Sequence, residues 1–294
     1  MVDEVLAWAP LKKQARIIDA TLGTGGHSLE FIKRGAKVLG IDIDEKMIEV
    51  SESRLKKACP TPNSPAATGW GSFKLVQANF KDIDKIARRE GFDEVEAIVF
   101  DLGTSNLQLT LPERGFSFGY PEADLDMRMN PRLQGLTGAD LLNVLRKDQL
   151  FELFNRVLPF REAKTLSERV IEIRKTKKFK KVGDFLEICQ GMKKRRGLNP
   201  ATLPFLALRI AVNSELENLS EALPKAFDLL TKKGRLLVIV FHSAERKIVL
   251  DFYFAMIREG VANLLSERGI GPGEKEIARN PRARSAVLYV LEKK

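Results

Sequence analysis

Four short segments of this chain place residues that can hold charge or exchange a proton at the ends of apolar runs. The first is Arg16-Ile-Ile-Asp-Ala-Thr-Leu-Gly-Thr-Gly-Gly-His27, where an apolar run ends in Asp19 and a glycine-rich turn follows. The second, Val38-Leu-Gly-Ile-Asp42, is another apolar run ending in an acid. The third ends at Asp101-Leu-Gly-Thr-Ser-Asn-Leu-Gln108, and the fourth at Phe241-His-Ser243. Glycines let a backbone turn tightly and approach a ligand, and an acid at the end of the second strand can accept hydrogen bonds from a ribose diol. This is the chemistry of a nucleotide-like cofactor site. Each acid taken alone also reads as an ordinary helix cap.

The spacing narrows the ligand. A dinucleotide fingerprint G-x-G-x-x-G counted from Gly23 fails at Ser28, and no Gly-Lys-Ser/Thr follows to make a P-loop. An acid followed by small residues at alternate positions (Asp19, Thr21, Gly23, Gly25) looks more like the first motif of S-adenosylmethionine methyltransferases. NAD or another nucleotide, and a plain glycine turn, remain open on this motif alone.

Such residues converge only if parallel strands carry them to one edge. Strand-length apolar runs occur at Arg16–Ala20, Val38–Ile43, Phe73–Gln77, Val95–Leu102, Leu236–Phe241 and Ala286–Leu291. Helix-like segments, such as His27–Arg34 and Glu45–Lys57, separate the first four. The pattern predicts an α/β fold, a Rossmann-like doubly wound sheet with helices on both faces. Ligands of such sheets bind beyond the carboxyl ends of the strands. Leu102 and Leu236 lie too far apart for one crossover helix, so an inserted domain is expected between them. Its segments Gly138–Leu145, Asp148–Arg156, Glu162–Arg174, Val182–Met192 and Pro204–Leu219 read as helices. The expected division is 1–110 with 209–294 for the cofactor domain, and 111–208 for the helical, substrate-recognising insertion. Cys59–Gly71, Thr104–Leu136 and Ser266–Arg284 read as loops.

Composition bounds the partners. The 294 residues carry a formal net charge of +10, which suits a polyanion. Ten Lys or Arg fall between Ile173 and Gly197 against two acids, Asp184 and Glu187. The two clusters, Lys175–Lys181 and Lys193–Arg196, read either as a solvated face or as a phosphate-contacting surface. Two cysteines and two histidines make neither a disulfide framework nor a metal cluster. No apolar run is long enough to cross a membrane, and the opening residues, with Asp3 and Glu4, do not read as a signal peptide. A cytoplasmic location is expected, with no membrane or metal partner; a homodimer is left open.

Longer motifs carry a family resemblance. Asp19-x-Thr-x-Gly-x-Gly-Gly-His27, Asp101-Leu-Gly, Gln108-Leu, Glu113-Arg-Gly-Phe-Ser-Phe118, Leu125-Asp-Met-Arg-Met129, Asn199-Pro-Ala-Thr202, Ala207-Leu-Arg-Ile-Ala-Val-Asn213, Glu215-Leu216, Phe241-His-Ser243 and Asn280-Pro-Arg-Ala-Arg-Ser285 run in this order. Together they resemble the bacterial small-subunit ribosomal RNA cytosine-N4 methyltransferase H family, also called MraW. The resemblance implies an S-adenosylmethionine-dependent enzyme with a helical insertion, acting on cytidine 1402 of 16S rRNA in the assembled small subunit. It implies cofactor contacts at Gly25, Gly26, His27, Asp42, Phe80, Asp101 and Gln108. The chain departs from the family pattern at Thr104-Ser-Asn106, at His242-Ser-Ala-Glu-Arg-Lys247, in a longer Cys59–Gly71 loop, and in lacking a His-x-Pro-Val-Leu segment at its start.

Methylating the cytosine amino group needs alignment and an acceptor for its hydrogens, because its lone pair is delocalised into the ring. Asp101 stands where such enzymes carry an acid, without the Pro-Pro-Tyr that often follows, and is the expected catalytic residue. Phe116, Phe118 and Tyr120 are candidates for stacking on the base, or anchors of a long loop. The rival reading is a non-catalytic RNA-binding or ribosome-assembly protein that keeps a vestigial cofactor fold. A nucleotide-dependent oxidoreductase is disfavoured by Ser28.

Overall fold

Along Val95–Asp101, successive side chains point to opposite faces of a sheet, and both faces are covered. Ala97 and Val99 join one apolar cluster, and Ile98 and Phe100 join another. A strand covered on both sides needs apolar residues throughout, which is why it reads as an unbroken run. The computed structural model describes residues 1–59, 69–193, 195 and 197–294. Most of the expected Cys59–Gly71 loop, and two positions of the Lys193–Arg196 cluster, lie outside the described residues.

The chain divides into two compact units, Met1–Gly103 with Leu216–Lys294, and Thr104–Glu215. The first begins α1 (Val2–Trp8), β1 (Arg16–Asp19), α2 (Gly26–Lys33), β2 (Lys37–Asp42), α3 (Glu45–Ala58), β3 (Ser72–Gln77), α4 (Ile83–Glu90) and β4 (Val95–Asp101). The second holds α5 (Asn106–Thr110), α6 (Gly138–Val144), α7 (Lys147–Asn155), α8 (Phe160–Ile173), α9 (Val182–Gln190) and α10 (Thr202–Asn213). The first resumes with α11 (Glu215–Asp228), β5 (Leu230–Val240), α12 (Ser243–Arg258), β6 (Ala262–Leu264), α13 (Glu274–Arg279) and β7 (Val287–Lys293).

The seven strands form one sheet in the order β3-β2-β1-β4-β5-β7-β6. The first five are parallel, and β7 runs antiparallel between β5 and β6. The chain winds outward from β1 to β3, then returns to β4 on the other side of β1. Residues of α1, α2 and α3 cover one face, around Ile17, Val38 and Val99. Residues of α4, α11 and α12 cover the other, around Ile18, Leu39 and Phe100. This is the expected doubly wound α/β sheet.

Three details differ from the sequence reading. The short edge strand β6 was not expected, since three residues carry no readable period. The helix expected over Pro204–Leu219 is two helices. Ser214 between them takes a left-handed conformation (φ 49°), which ends α10. The expected loops at 104–136 and 266–284 contain α5 and α13.

In the second unit, the aperiodic motifs prove to be a hydrogen-bonded scaffold. Asn213 is buried, and its Oδ1 accepts from the Met129 N–H at 2.9 Å and from Gln134 Nε2 at 2.7 Å. Its Nδ2 donates to the carbonyls of Met127 at 2.8 Å and Arg209 at 2.9 Å. The Arg114 guanidinium donates to the carbonyls of Arg128 and Met129, both at 3.1 Å. Gly115 has φ 66°, and a Cβ there would collide with the Asp124 carbonyl. Thus Glu113–Phe118, Leu125–Met129 and Ala207–Asn213 specify one another.

Asn213→Ala would strand several buried groups at once. We expect a loss of roughly 2–4 kcal/mol, at about 1 kcal/mol or more per stranded partner, read as a lower urea midpoint of the helical unit. An unchanged midpoint would show that the 127–134 segment is held by other contacts.

Candidate active site

Parallel register puts the acids at one edge. Asp19 pairs with Gly40 of β2 and Val99 of β4, so Asp42 and Asp101 each lie two residues further along the flanking strands. The winding reverses between β1 and β4, and a doubly wound sheet opens a crevice at such a reversal.

The turn after β1 is built from the backbone. Gly23 N donates to Asp42 Oδ2 at 2.8 Å, and Asp44 N donates to Oδ1 at 2.9 Å. The Ser51 hydroxyl of α3 donates to the Gly23 carbonyl at 2.7 Å. Gly25 caps α2 with φ 75°, a conformation that costs other residues energy, and a Cβ there would sit 3.3 Å from Ser51 Oγ. No side chain caps α2, so the N–H groups of Gly26 and His27 open its first turn toward this edge.

Below the turn lies a buried polar cluster. Asp19 is 1% exposed and accepts from the Ser28 hydroxyl at 2.7 Å. His27 Nε2 lies 3.4 Å from Asp101 Oδ2. The Thr21 hydroxyl oxygen accepts from Asp101 N at 2.6 Å. Three buried atoms, Asp19 Oδ1, His27 Nδ1 and Asp101 Oδ1, have no hydrogen-bond partner among the described residues. Burial pushes the Asp19 carboxyl up, against the opposing pull of His27 and of the Ser28 hydroxyl. Burial also pushes Asp42 up to about 7, although its two backbone donors favour the charged form. For His27, burial lowers the imidazole, but Asp101 and Asp19 outweigh it and the net shift is upward.

The remaining expected residues fall in three places. Phe80 lies three residues past β3, half-buried, with its ring edge-on to Phe100 at 5.5 Å. Gln108 belongs to the second unit, where its side chain completes a capping box with Ser105 at the start of α5. His242 caps α12. Its Nδ1 accepts from Glu245 N at 3.3 Å, and its Nε2 lies 3.1 Å from the Glu245 carboxylate. The ring is turned onto its own helix.

Thr21 and Ser28, which the sequence shows only as motif positions, and Ser51, which it does not single out, hold the acids and the turn in place. Ser28 did give a signal, because it is where the dinucleotide fingerprint fails. A hydroxyl stands there to hold Asp19.

The aromatic candidates separate by burial. Phe116 and Phe118 pack in the helical core, Phe118 edge-on to Phe205 at 5.6 Å. Tyr120 is 38% exposed. The first basic cluster is partly spent on the protein itself. Lys175, Lys177 and Lys181 pair with Glu172, Asp184 and Asp124. Arg174 donates to the carbonyls that end α6, and Arg195 pairs with Glu162. Among the described residues, no group of His, Cys, Asp or Glu could hold a metal ion, and no helix is long and apolar enough to cross a membrane.

The pattern of the MraW methylase family matches residues 1–294. The chain belongs to that family. Among relatives, the Ribosomal RNA small subunit methyltransferase H of Methylacidiphilum infernorum is 38% identical, over 100% of this chain and 93% of its own length. The proteins of the same name from Dictyoglomus thermophilum and a Sulfurihydrogenibium species are 37% and 36% identical, over 100% and 98% of this chain and 95% of each relative. As an MraW methylase, the chain carries a glycine turn after β1 and an acid, Asp101, at the end of β4.

A carboxyl raised by burial favours its protonated form in the fold. Stability from such a group is present below the unfolded value, ~4, and is lost as pH rises through the folded value. Asp19→Asn mimics the protonated form. The variant's thermal midpoint should match wild type at pH 4 and exceed it increasingly toward pH 8. A variant that melts lower at pH 8 would show that the charge on Asp19 stabilises the fold.

Proposed function

We propose that this chain methylates the exocyclic N4 of cytidine 1402 in 16S rRNA of the small ribosomal subunit, with S-adenosylmethionine as cofactor. The observation that carries this reading is the set of buried polar atoms left without partners beside an open helix start, at the strand reversal. Asp19 and Asp101 offer negative charge for a sulfonium and an ammonium. The N–H groups of Gly26 and His27, entered through Gly25, suit a carboxylate. Asp42 uses one lone pair of each oxygen on backbone donors and has capacity left for both ribose hydroxyls. Phe80 gives adenine an apolar ring. Gln108 rests on the family resemblance alone.

When bound, the cofactor supplies an electrophilic methyl group. The protein must then orient the amino nitrogen and accept its hydrogen bonds. Asp101 is the catalytic residue: its carboxylate accepts from the amino group and localises the nitrogen lone pair on the line of attack. A target base must leave its stack to reach such an edge. Tyr120 is the aromatic candidate left at the surface. The helical unit is the substrate-recognising part, and within its first basic cluster Lys178 and Lys180 have no acidic side-chain partner among the described residues. A cytoplasmic location follows from this substrate.

Mass spectrometry of 16S rRNA from cells with and without the gene tests the target. Loss of the N4-methyl mark at cytidine 1402 is expected, and its persistence would favour the assembly-protein reading. Asp101→Asn should slow single-turnover methylation of small subunits at saturating cofactor by about 10²-fold or more. A near-normal rate, beside a clear loss in His242→Ala, would move the catalytic role to the histidine. Reversing Lys178 and Lys180 to Glu should leave cofactor affinity unchanged and weaken subunit binding. Each lost phosphate contact should lower the log–log salt slope by about 0.7–0.9. Unchanged binding and slope would make this run a solvated face.

A further inference from the structure

Asp101 has two carboxylate oxygens with different surroundings. Oδ2 lies 3.4 Å from His27 Nε2, while Oδ1 is buried and has no partner among the described residues. We infer that His27 is a positioning residue for Asp101: its imidazole holds the orientation of the carboxylate that receives the proton released from the methylated nitrogen. This rests on the methyl-transfer reading above.

A free carboxylate rotates about its last bond and presents either oxygen. Here the backbone below it is pinned by the Thr21 hydroxyl at 2.6 Å, and one oxygen faces a ring that is itself held in the first turn of α2. The His27 side chain is 10% exposed and that of Asp101 35%, so the contact is shielded from solvent on the imidazole side. In the step, the N4 lone pair forms the new N–C bond while the C–S bond breaks with its electron pair going to sulfur. Nitrogen, now cationic, releases one proton to the Asp101 carboxylate. The His27 side chain neither gives nor takes a proton in this account. It keeps the acceptor aimed, and misplacement by an ångström at such a step costs up to about 10²-fold.

The charged groups facing His27 are Asp101 on β4, Asp19 on β1 and, more weakly, the α-amino group of Met1 ahead of α1. The two acids favour the imidazolium and the amine opposes it. Their sum strengthens the donor at Nε2, in line with the upward shift of the ring. A packing role alone would explain the burial of the ring, but not the approach of its Nε2 to within 3.4 Å of a carboxylate oxygen.

The test uses the full chain with wild type, His27→Leu and His27→Gln. Leucine fills the space without a donor. Glutamine keeps an N–H near the Nε2 position. His27→Leu should slow single-turnover methylation of small subunits about 10- to 100-fold, with S-adenosylmethionine affinity by calorimetry within about threefold of wild type. His27→Gln should recover most of the rate and flatten its dependence on pH. The chain has two histidines, so NMR follows both rings without activity. In Asp101→Asn, the His27 titration should move to lower pH while that of His242 stays. An unmoved His27 titration overturns the pairing. A normal rate in His27→Leu, or a loss that glutamine does not restore, overturns the positioning role. A wild-type chain that methylates no subunit refutes the methyl-transfer reading instead, and the NMR titration still decides the pairing.

Discussion

Asp42 receives two backbone N–H groups, from Gly23 at 2.8 Å and Asp44 at 2.9 Å, and the turn above the sheet takes its shape from these bonds. They tie the glycine segment after β1 to the end of β2. That tie requires Gly25 to enter α2 in a left-handed conformation, and it brings Ser51 of α3 under the Gly23 carbonyl. The start of α2 then carries His27 and Ser28 back over Asp101 and Asp19. One carboxylate thus organises three segments through donors that need no side-chain cation. The carboxyls of Asp19 and Asp42 at this edge are raised because burial is not matched by a positive neighbour of equal strength. A bound cation would find there what the fold itself does not supply.

The legible part of this architecture is the part written in apolar runs. Strands β1, β2 and β4 could be read because their interiors are covered on both faces and are mostly apolar, whereas the edge strand β3 carries Lys74 among half-buried apolar residues. The acids that end them were legible for the same reason, since a charge stands out against such a run. What could not be read lies where hydrogen bonds replace periodicity. Ser214 breaks a helix without a glycine or proline to mark it. The 113–136 stretch looks shapeless because its order comes from Asn213, far along the chain, and from Arg114 reaching two carbonyls. Thr21, Ser28 and Ser51 are small polar residues that could cap, space or pack, and only the fold shows which acid or carbonyl each one holds. The basic run is only partly legible for a related reason. A count of charges does not say which are spent on neighbouring acids or, like Arg174, on carbonyls at a helix end.

Both units resolve the same difficulty in opposite ways. The sheet unit leaves polar atoms unsatisfied at its edge, and the helical unit leaves almost none around Asn213, whose amide uses both its oxygen and its nitrogen. Buried polar groups that are satisfied fix a conformation; those that are not store a demand for a partner.

Strand β4 lies between β1 and β5, yet residues 104–215 intervene before β5 is made. During synthesis β4 therefore waits with one backbone edge open, on a half-sheet that is apolar on both faces. The helical unit is contiguous and rich in local contacts, so it can finish folding in that interval. The nascent chain thus passes through a stage in which its helical unit is complete while its sheet is still half made. Any factor that shields newly made chains would meet this protein at that bare strand.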